Sequence, residues 1–297
     1  MNMLSVIILS NTLDEEVYRM NCRCLESLFG SEEWQDGRLQ VILVESNKKA
    51  SYSYNSRVEV VVPEFKFNFH QFLNIGLDHT RGDYVAFCNN DILFTKGWFS
   101  AIMKVKVGHL EFMCFSPLDR SYPLMGEDML SSSSDFYVGW ENKKHFAAWC
   151  FVWERKVFDT IGRFDETFDF YSADDDELQT LRYYAIPNVV VTHSEVKHLS
   201  QVVTNKLDES KSHKIEDYER YPLTKEEIRR GYSWLWDDER FYVAYQRMKA
   251  KWGNEHMRQR VDRFFGRHPR WFVRPMTKLL YNRRMNSVMC VLTGIKK

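Results

Sequence analysis

No stretch of the chain is both long enough and free enough of charge to cross a bilayer. The apolar opening Leu4-Ser5-Val6-Ile7-Ile8-Leu9 is short, has no basic residue before it and runs into Asn11, Asp14, Glu15 and Glu16. It is therefore expected to be a buried first strand and not a leader or an anchor, with the cytoplasm as the expected location. Cysteine is sparse, six in 297 residues, and scattered through apolar settings, unlike the dense spacing of a disulfide scaffold. Cys22 and Cys24 stand two apart on an expected helix and do not face each other, which argues against a zinc site. No glycine-rich phosphate loop with a lysine follows the first apolar run, which argues against a nucleotidyltransferase. There is no internal repeat. Net charge is zero as well, with 41 basic and 41 acidic residues, but the distribution is uneven. From Arg247 onward fourteen basic residues face only Glu255 and Asp262, so the tail is cationic and suited to an anionic partner.

What is present is a globular composition. Hydrophobic residues make up 44% and aromatic residues 15%, enough apolar surface to offset the entropy of ordering a chain of about two units. Short β-branched or aromatic runs at Val6–Leu9, Val41–Val44, Val58–Val62 and Tyr84–Phe87 read as buried strands. Helix-like segments lie at Glu15–Phe29, ended by Gly30, and at Phe69–Thr80. Strands alternating with helices imply a largely parallel sheet covered on both faces, whose ligands bind at the carboxyl ends of the strands. That rule singles out Ser10 and Asn11 after the first strand, Glu45-Ser46-Asn47 after the second, and Asn89-Asn90-Asp91 after the fourth. A serine stretch, Ser131 to Ser134 with Gly126 and Gly139 nearby, reads as a mobile surface loop of the kind that covers a donor site.

Asp91 stands at the tip of a rigid strand, where its carboxylate can reach a hard divalent cation such as Mn²⁺ or Mg²⁺; such ions use one or two carboxylates plus substrate phosphates. Asp174-Asp175-Asp176-Glu177 precedes Leu178 and Leu181 at helical spacing, with Ser172 placed to cap. Acids in a first helical turn complement the dipole, but four in succession repel one another and raise at least one pKa, as a general base requires. His193 ends the run Val189–Thr192, with His198 five residues on, and one of the pair is a candidate cation ligand.

Taken together, Leu4–Ile8 with Glu15, Asn74-Ile75-Gly76 with Gly82-Asp83-Tyr84-Val85, Asn89-Asn90-Asp91, Gly162-Arg163-Phe164-Asp165-Glu166, the acidic cluster and His193 resemble family 2 glycosyltransferases of the GT-A fold over roughly residues 4 to 200. Lys251-Trp252-Gly253 resembles a further element that follows the catalytic domain in some members. The resemblance implies a Rossmann-like, mostly parallel α/β sheet flanked by helices. It also implies a catalytic domain over 1–205 and a basic, mainly helical C-terminal extension over 206–297. Asn90 and Asp91 fall on the metal- and diphosphate-binding motif, with Asp91 as the metal ligand and Asn89 where an aspartate is usual. Glu45 falls on the nucleoside-contacting acid and Asn74 on the donor-site asparagine. Asp175, with Asp174 as the alternative, falls on the catalytic base, and His193 on the late histidine that reaches the cation.

The implied reaction is a metal-dependent, inverting transfer from a nucleotide-diphosphate sugar, with UDP as the expected nucleotide, to an acceptor hydroxyl. The acceptor class stays open. A tail interleaving Trp252, Phe264, Phe265, Trp271, Phe272 and Tyr281 with arginines suits a nucleic acid, such as a hydroxylated base flipped from DNA. It equally suits an anionic membrane surface bearing a lipid-linked or polymeric glycan. A non-catalytic nucleic-acid or sugar-binding module on the same fold is the competing reading from another class.

Overall fold

A computed structural model describes residues 3–119, 134–140, 144–199 and 213–253. The first half runs β1 (Leu4–Ser10), α1 (Glu15–Gly30), β2 (Leu39–Glu45), β3 (Val58–Val61), α2 (Phe69–His79), β4 (Tyr84–Asn89), β5 (Ile92–Phe94) and α3 (Trp98–Gly108). The second runs β6 (Cys114–Asp119), β7 (Phe136–Gly139), β8 (Cys150–Glu154), α4 (Val157–Ile161), α5 (Ala173–Tyr183) and β9 (Asn188–His198). It closes with α6 (Lys225–Arg229), a 3-10 helix (Tyr232–Asp237) and α7 (Glu239–Trp252). The described strands form one sheet in the order β3-β2-β1-β4-β8-β6-β9-β5, with β7 paired to β9.

The expected parallel sheet is its first half, where β1 to β4 are mutually parallel. β1 is apolar on both sides because both faces are covered. Leu4, Val6 and Ile8 pack on Cys24, Leu25 and Leu28 of α1 and on Trp98 and Ile102 of α3. Ile7 and Leu9 lie in one buried cluster with Phe72, Leu73 and Leu77 of α2 and with Leu178 and Leu181 of α5. Each such fully buried aliphatic side chain contributes roughly 1.5–3 kcal/mol. β3 departs from the expectation of a buried strand: it is the sheet edge, and Glu59 and Val60 are exposed. Two glycines of the family-like motifs are packing glycines. A Cβ on Gly76 would lie 2.6 Å from Ile7 Cγ2, and one on Gly82 would lie 2.6 Å from the Ser5 nitrogen.

Topology decides where the acidic cluster goes. β8 is antiparallel to β4 and to β6, whereas β9 is parallel to β6. β9 therefore starts at the end of the sheet where β4 starts. α5 ends five residues before β9, so its N-terminal turn lies at the opposite end, the carboxyl end of the parallel strands, where Asp91 stands.

The described part of the expected C-terminal extension is helical and joined to this unit. Met248 and Trp252 of α7 pack on Phe168 and Ala173. The serine loop at 131–133 and the basic tail at 254–297 lie outside the described residues. No described helix is long and apolar enough to cross a membrane.

Candidate active site

At the tips of β1 and β2 a buried polar network ties the expected donor-side residues together. Glu45 Oε1 accepts from the Thr12 and Asn47 amides at 3.0 and 2.7 Å, and Glu45 Oε2 accepts from the Thr12 hydroxyl at 2.5 Å. Ser46 donates to the Ser10 carbonyl at 2.8 Å. Asn21 Nδ2, from the inner face of α1, donates to the hydroxyls of Ser10, Thr12 and Tyr54, and Asn21 Oδ1 accepts from Asn90 Nδ2 at 2.7 Å. Glu45 and Asn90 are thus buried within one network at the strand tips, while Asn11 is half-buried. Tyr52 stacks on Tyr18 at 4.5 Å beside this network. Thr12, Asn21 and Tyr54 were not legible as site residues. Asn21 carries no signal except that it is a polar residue on the buried face of an amphipathic helix, and a buried amide needs partners.

At the tip of β4, Asn89 is half-buried and Asp91 is buried. His198 Nε2 lies 3.1 Å from Asp91 Oδ1, yet that oxygen accepts no hydrogen bond from the described residues. The His198 ring is stacked flat on Trp149, 5.1 Å between centroids and 4° from parallel, and the Leu199 amide donates to the Asp91 carbonyl. His193, the expected ligand, is not brought to this point. It is 70% exposed and lies 3.2 Å from Asp135. The reason is the length of β9: its apolar run ends at Val191, but the strand continues through Ser194 and Val196, with Phe94 opposite Val196, to His198 opposite Ile92. The histidine at the end of the strand is the second of the two. An under-coordinated carboxylate beside an imidazole fits a divalent cation that takes its remaining ligands from a diphosphate and water.

The acidic cluster divides by face. Asp174 and Asp175 are half-buried, whereas Asp176 and Glu177 are buried. Asp176 accepts from Trp252 Nε1 at 2.6 Å and pairs with Lys251 Nζ at 2.8 Å, so its two oxygens anchor α7. Glu177 faces His70 of α2, with Nε2 and Oε1 3.4 Å apart and both side chains fully buried. Burial pushes the Glu177 carboxyl up to about 7 against the opposing pull of His70. Burial would lower His70, but Glu177 overrides this and raises it. The raised carboxyls of the cluster, Asp176 and Glu177, face the core, and burial, not mutual repulsion, is the first cause. Ser172 does not cap: it adopts a left-handed backbone, φ 59°, with no side-chain cap bond, and Asp174 Oδ1 takes the Asp175 amide at 3.0 Å.

A stability prediction follows from Glu177. Below its ordinary value of 4.5 the carboxyl is protonated in both folded and unfolded chains. As pH rises through about 7 the unfolded chain releases the proton more readily, and the folded state loses up to about 3 kcal/mol. The melting temperature of Glu177→Gln relative to the parent should therefore climb between pH 5 and pH 8. Parallel melting curves across that range would show that Glu177 titrates normally.

The segment Gly162 to Glu166 is a clamp. Arg163 forms a two-pronged pair with Asp78 at 2.7 and 2.8 Å, and the Asp165 carbonyl meets His70 Nδ1 at 2.8 Å. Asp165 also pairs with Lys251 at 2.7 Å. Asn74, expected at the donor, is 1% exposed. Its Nδ2 donates to the Phe164 carbonyl and to Glu166, and its Oδ1 accepts from the Phe164 amide. These bonds hold the loop that leads into α5. A cavity of about 380 Å³ lies along α5, lined among others by Trp153, Phe164, Asp176, Glu177, Tyr183 and Trp252.

Residues 22–118 match the sequence model of glycosyl transferase family 2. No curated protein sequence matches the chain. Among solved structures, GalNAc-T7 crystallised with UDP, GalNAc and Mn²⁺ is similar with a TM-score of 0.53 at 15% identity, over 66% of this chain and 43% of that one. S. aureus TarS 1-349 is similar with a TM-score of 0.53 at 12% identity, over 95% of this chain and 92% of that one. The chain thus spans less than half the length of GalNAc-T7. The fold is GT-A, and residues 22–118 are similar in sequence to glycosyl transferase family 2.

Proposed function

We propose that the chain transfers a sugar from a nucleotide-diphosphate sugar to an acceptor hydroxyl by a single inverting displacement. The observation that carries this is the pairing of two features at one end of the sheet. One is the buried Asp91 carboxylate, whose Oδ1 has no hydrogen bond among the described residues, with His198 beside it. The other is the N-terminal turn of α5 with Asp174 and Asp175. In this reading Ser10 to Thr12, Asn47 and Tyr52 receive the nucleoside, with Glu45 and Asn21 setting their positions. Asn89 to Asp91 and His198 face the diphosphate and would hold Mn²⁺ or Mg²⁺, which neutralises charge on the departing diphosphate. That GalNAc-T7 holds UDP and Mn²⁺ on the same fold supports the choice of nucleotide and metal.

Asp175 takes the proton of the acceptor hydroxyl as its oxygen attacks the anomeric carbon. The bond from that carbon to the diphosphate oxygen breaks, and its electron pair leaves with the nucleoside diphosphate. Attack from the side opposite the leaving group inverts the anomeric centre.

The test is a screen of nucleotide sugars for thermal stabilisation with and without Mn²⁺, because a ligand bound only to the native state raises the melting temperature. At least one UDP-sugar should stabilise the protein, and only with the cation. Stabilisation by no nucleotide sugar would overturn the proposal.

A further inference from the structure

Five aromatic rings form a continuous exposed strip against the start of α5. Phe67 follows β3, Phe170 and Tyr171 immediately precede α5, Trp234 lies in the 3-10 helix and Phe241 in the first turn of α7. Their rings follow one another at centroid distances of 6.5 Å (Phe67 to Phe170), 5.2 Å (Phe170 to Tyr171), 4.8 Å (Tyr171 to Phe241) and 5.8 Å (Phe241 to Trp234). Four of the five are 38 to 49% exposed. Globular proteins rarely leave so much contiguous apolar surface uncovered unless something binds there. The strip is assembled from segments far apart in sequence, and packing holds it in place. The Phe69 amide donates to the Asp169 carbonyl, Arg247 pairs with Asp169 at 3.0 Å, and Arg240 lies over the Tyr171 ring at 5.4 Å.

We propose that this strip is the acceptor subsite and that its occupant is an uncharged glycan chain, laid ring on ring with its terminal hydroxyl toward Asp175. This rests on the transferase reading for its direction but not for its ligand. Position supports it, because Phe170 and Tyr171 lead directly into the turn that carries the base. Shape supports it too: a row of aromatic faces matches the apolar C–H faces of successive hexose rings, with contact area supplied by side chains that lose little rotamer freedom. Charge decides between glycan and polyanion. The segments 64–67, 169–175 and 234–241 carry seven carboxylates, Glu64, Asp169, Asp174, Asp175, Asp237, Asp238 and Glu239, against Lys66 and Arg240, with Arg247 joined to Asp169. Arg240 is itself paired with Asp238 at 2.6 Å. A surface with this balance repels a phosphate backbone and an anionic lipid headgroup, whereas nucleic-acid sites need cations aimed at phosphates.

The test is binding of the full chain to an array of neutral and charged oligosaccharides, to single-stranded DNA and to phosphatidylglycerol vesicles, repeated with Phe170→Leu, Phe170→Tyr and Phe241→Leu. Binding to at least one neutral oligosaccharide is expected, tighter for hexamers than for dimers. It should weaken roughly tenfold in each leucine variant and survive in Phe170→Tyr, which keeps the ring. Melting temperatures of the variants identify any loss of fold, and the tyrosine variant keeps the result readable if a leucine variant is unstable. Binding to no neutral oligosaccharide overturns the proposal. So does binding to DNA or vesicles that the leucine substitutions weaken, and so does glycan binding that they leave intact. Failure of the transferase reading would look different: neutral glycans would bind the strip while no nucleotide sugar stabilised the protein.

Discussion

Asp175→Asn is expected to slow sugar transfer by roughly 10²- to 10⁴-fold, the usual worth of a positioned general base, while metal-dependent donor binding persists. The choice of Asp175 within the acidic run comes from the faces of α5. Asp176 is held by Lys251 and Trp252, and Glu177 faces His70 inside the core. Asp174 Oδ1 accepts the Asp175 amide and so does the capping that Ser172 does not. Asp175 is half-buried in the first turn of α5, and it is the position on which the sequence resemblance places the base. Asp174→Asn keeps an oxygen that can accept that amide and should leave stability close to the parent's, with transfer rates within tenfold of the parent. Steady-state kinetics with both variants check this, and a larger loss from Asp174→Asn than from Asp175→Asn would exchange the two roles.

The second large effect is expected at the cation. Asp91→Asn keeps the shape of the side chain and removes its charge, and should weaken Mn²⁺-dependent donor binding by at least a hundredfold. His198→Gln should weaken it by roughly 10- to 100-fold, the range seen when metal-site partners are removed. His193→Gln should leave it unchanged, because His193 meets Asp135 on an exposed part of β9. Titration calorimetry of UDP with Mn²⁺ separates the three. Loss of binding in His193→Gln with retention in His198→Gln would contradict the placement of the ligand.

The first half of the fold is legible in the sequence because local rules and tertiary outcome agree there. β1, β2 and β4 are buried on both faces, so apolar runs of six or seven residues mark them, and the strand-tip rule finds Ser10, Glu45 and Asp91 with no knowledge of side-chain contacts. The second half obeyed weaker rules. β6 contains Pro117, beside which its register with β9 shifts, so it does not read as an internal strand. β9 carries Thr192, His193 and Ser194 in its middle, so the apolar run stops seven residues before the strand does and points to the first of the two histidines, not to the one at the tip. Glu45 and Asn74 are singled out by position alone, but what they touch depends on Thr12, Asn47, Phe164 and Glu166, which come together only when the chain folds. The same holds for Lys251 and Trp252. Sequence resemblance marked them as an element, and the structure shows that they hold Asp176, one residue beyond the expected base.

The most direct measurement is a nuclear magnetic resonance time course of the anomeric signal of the stabilising nucleotide sugar, with acceptor and Mn²⁺, in the parent protein, Asp91→Asn and Asp175→Asn. The expected result is conversion to a product of inverted anomeric configuration, stopped by a chelator and lost in both variants. Undiminished conversion in either variant, or in the presence of chelator, would contradict a shared site for cation and base at the carboxyl end of the sheet.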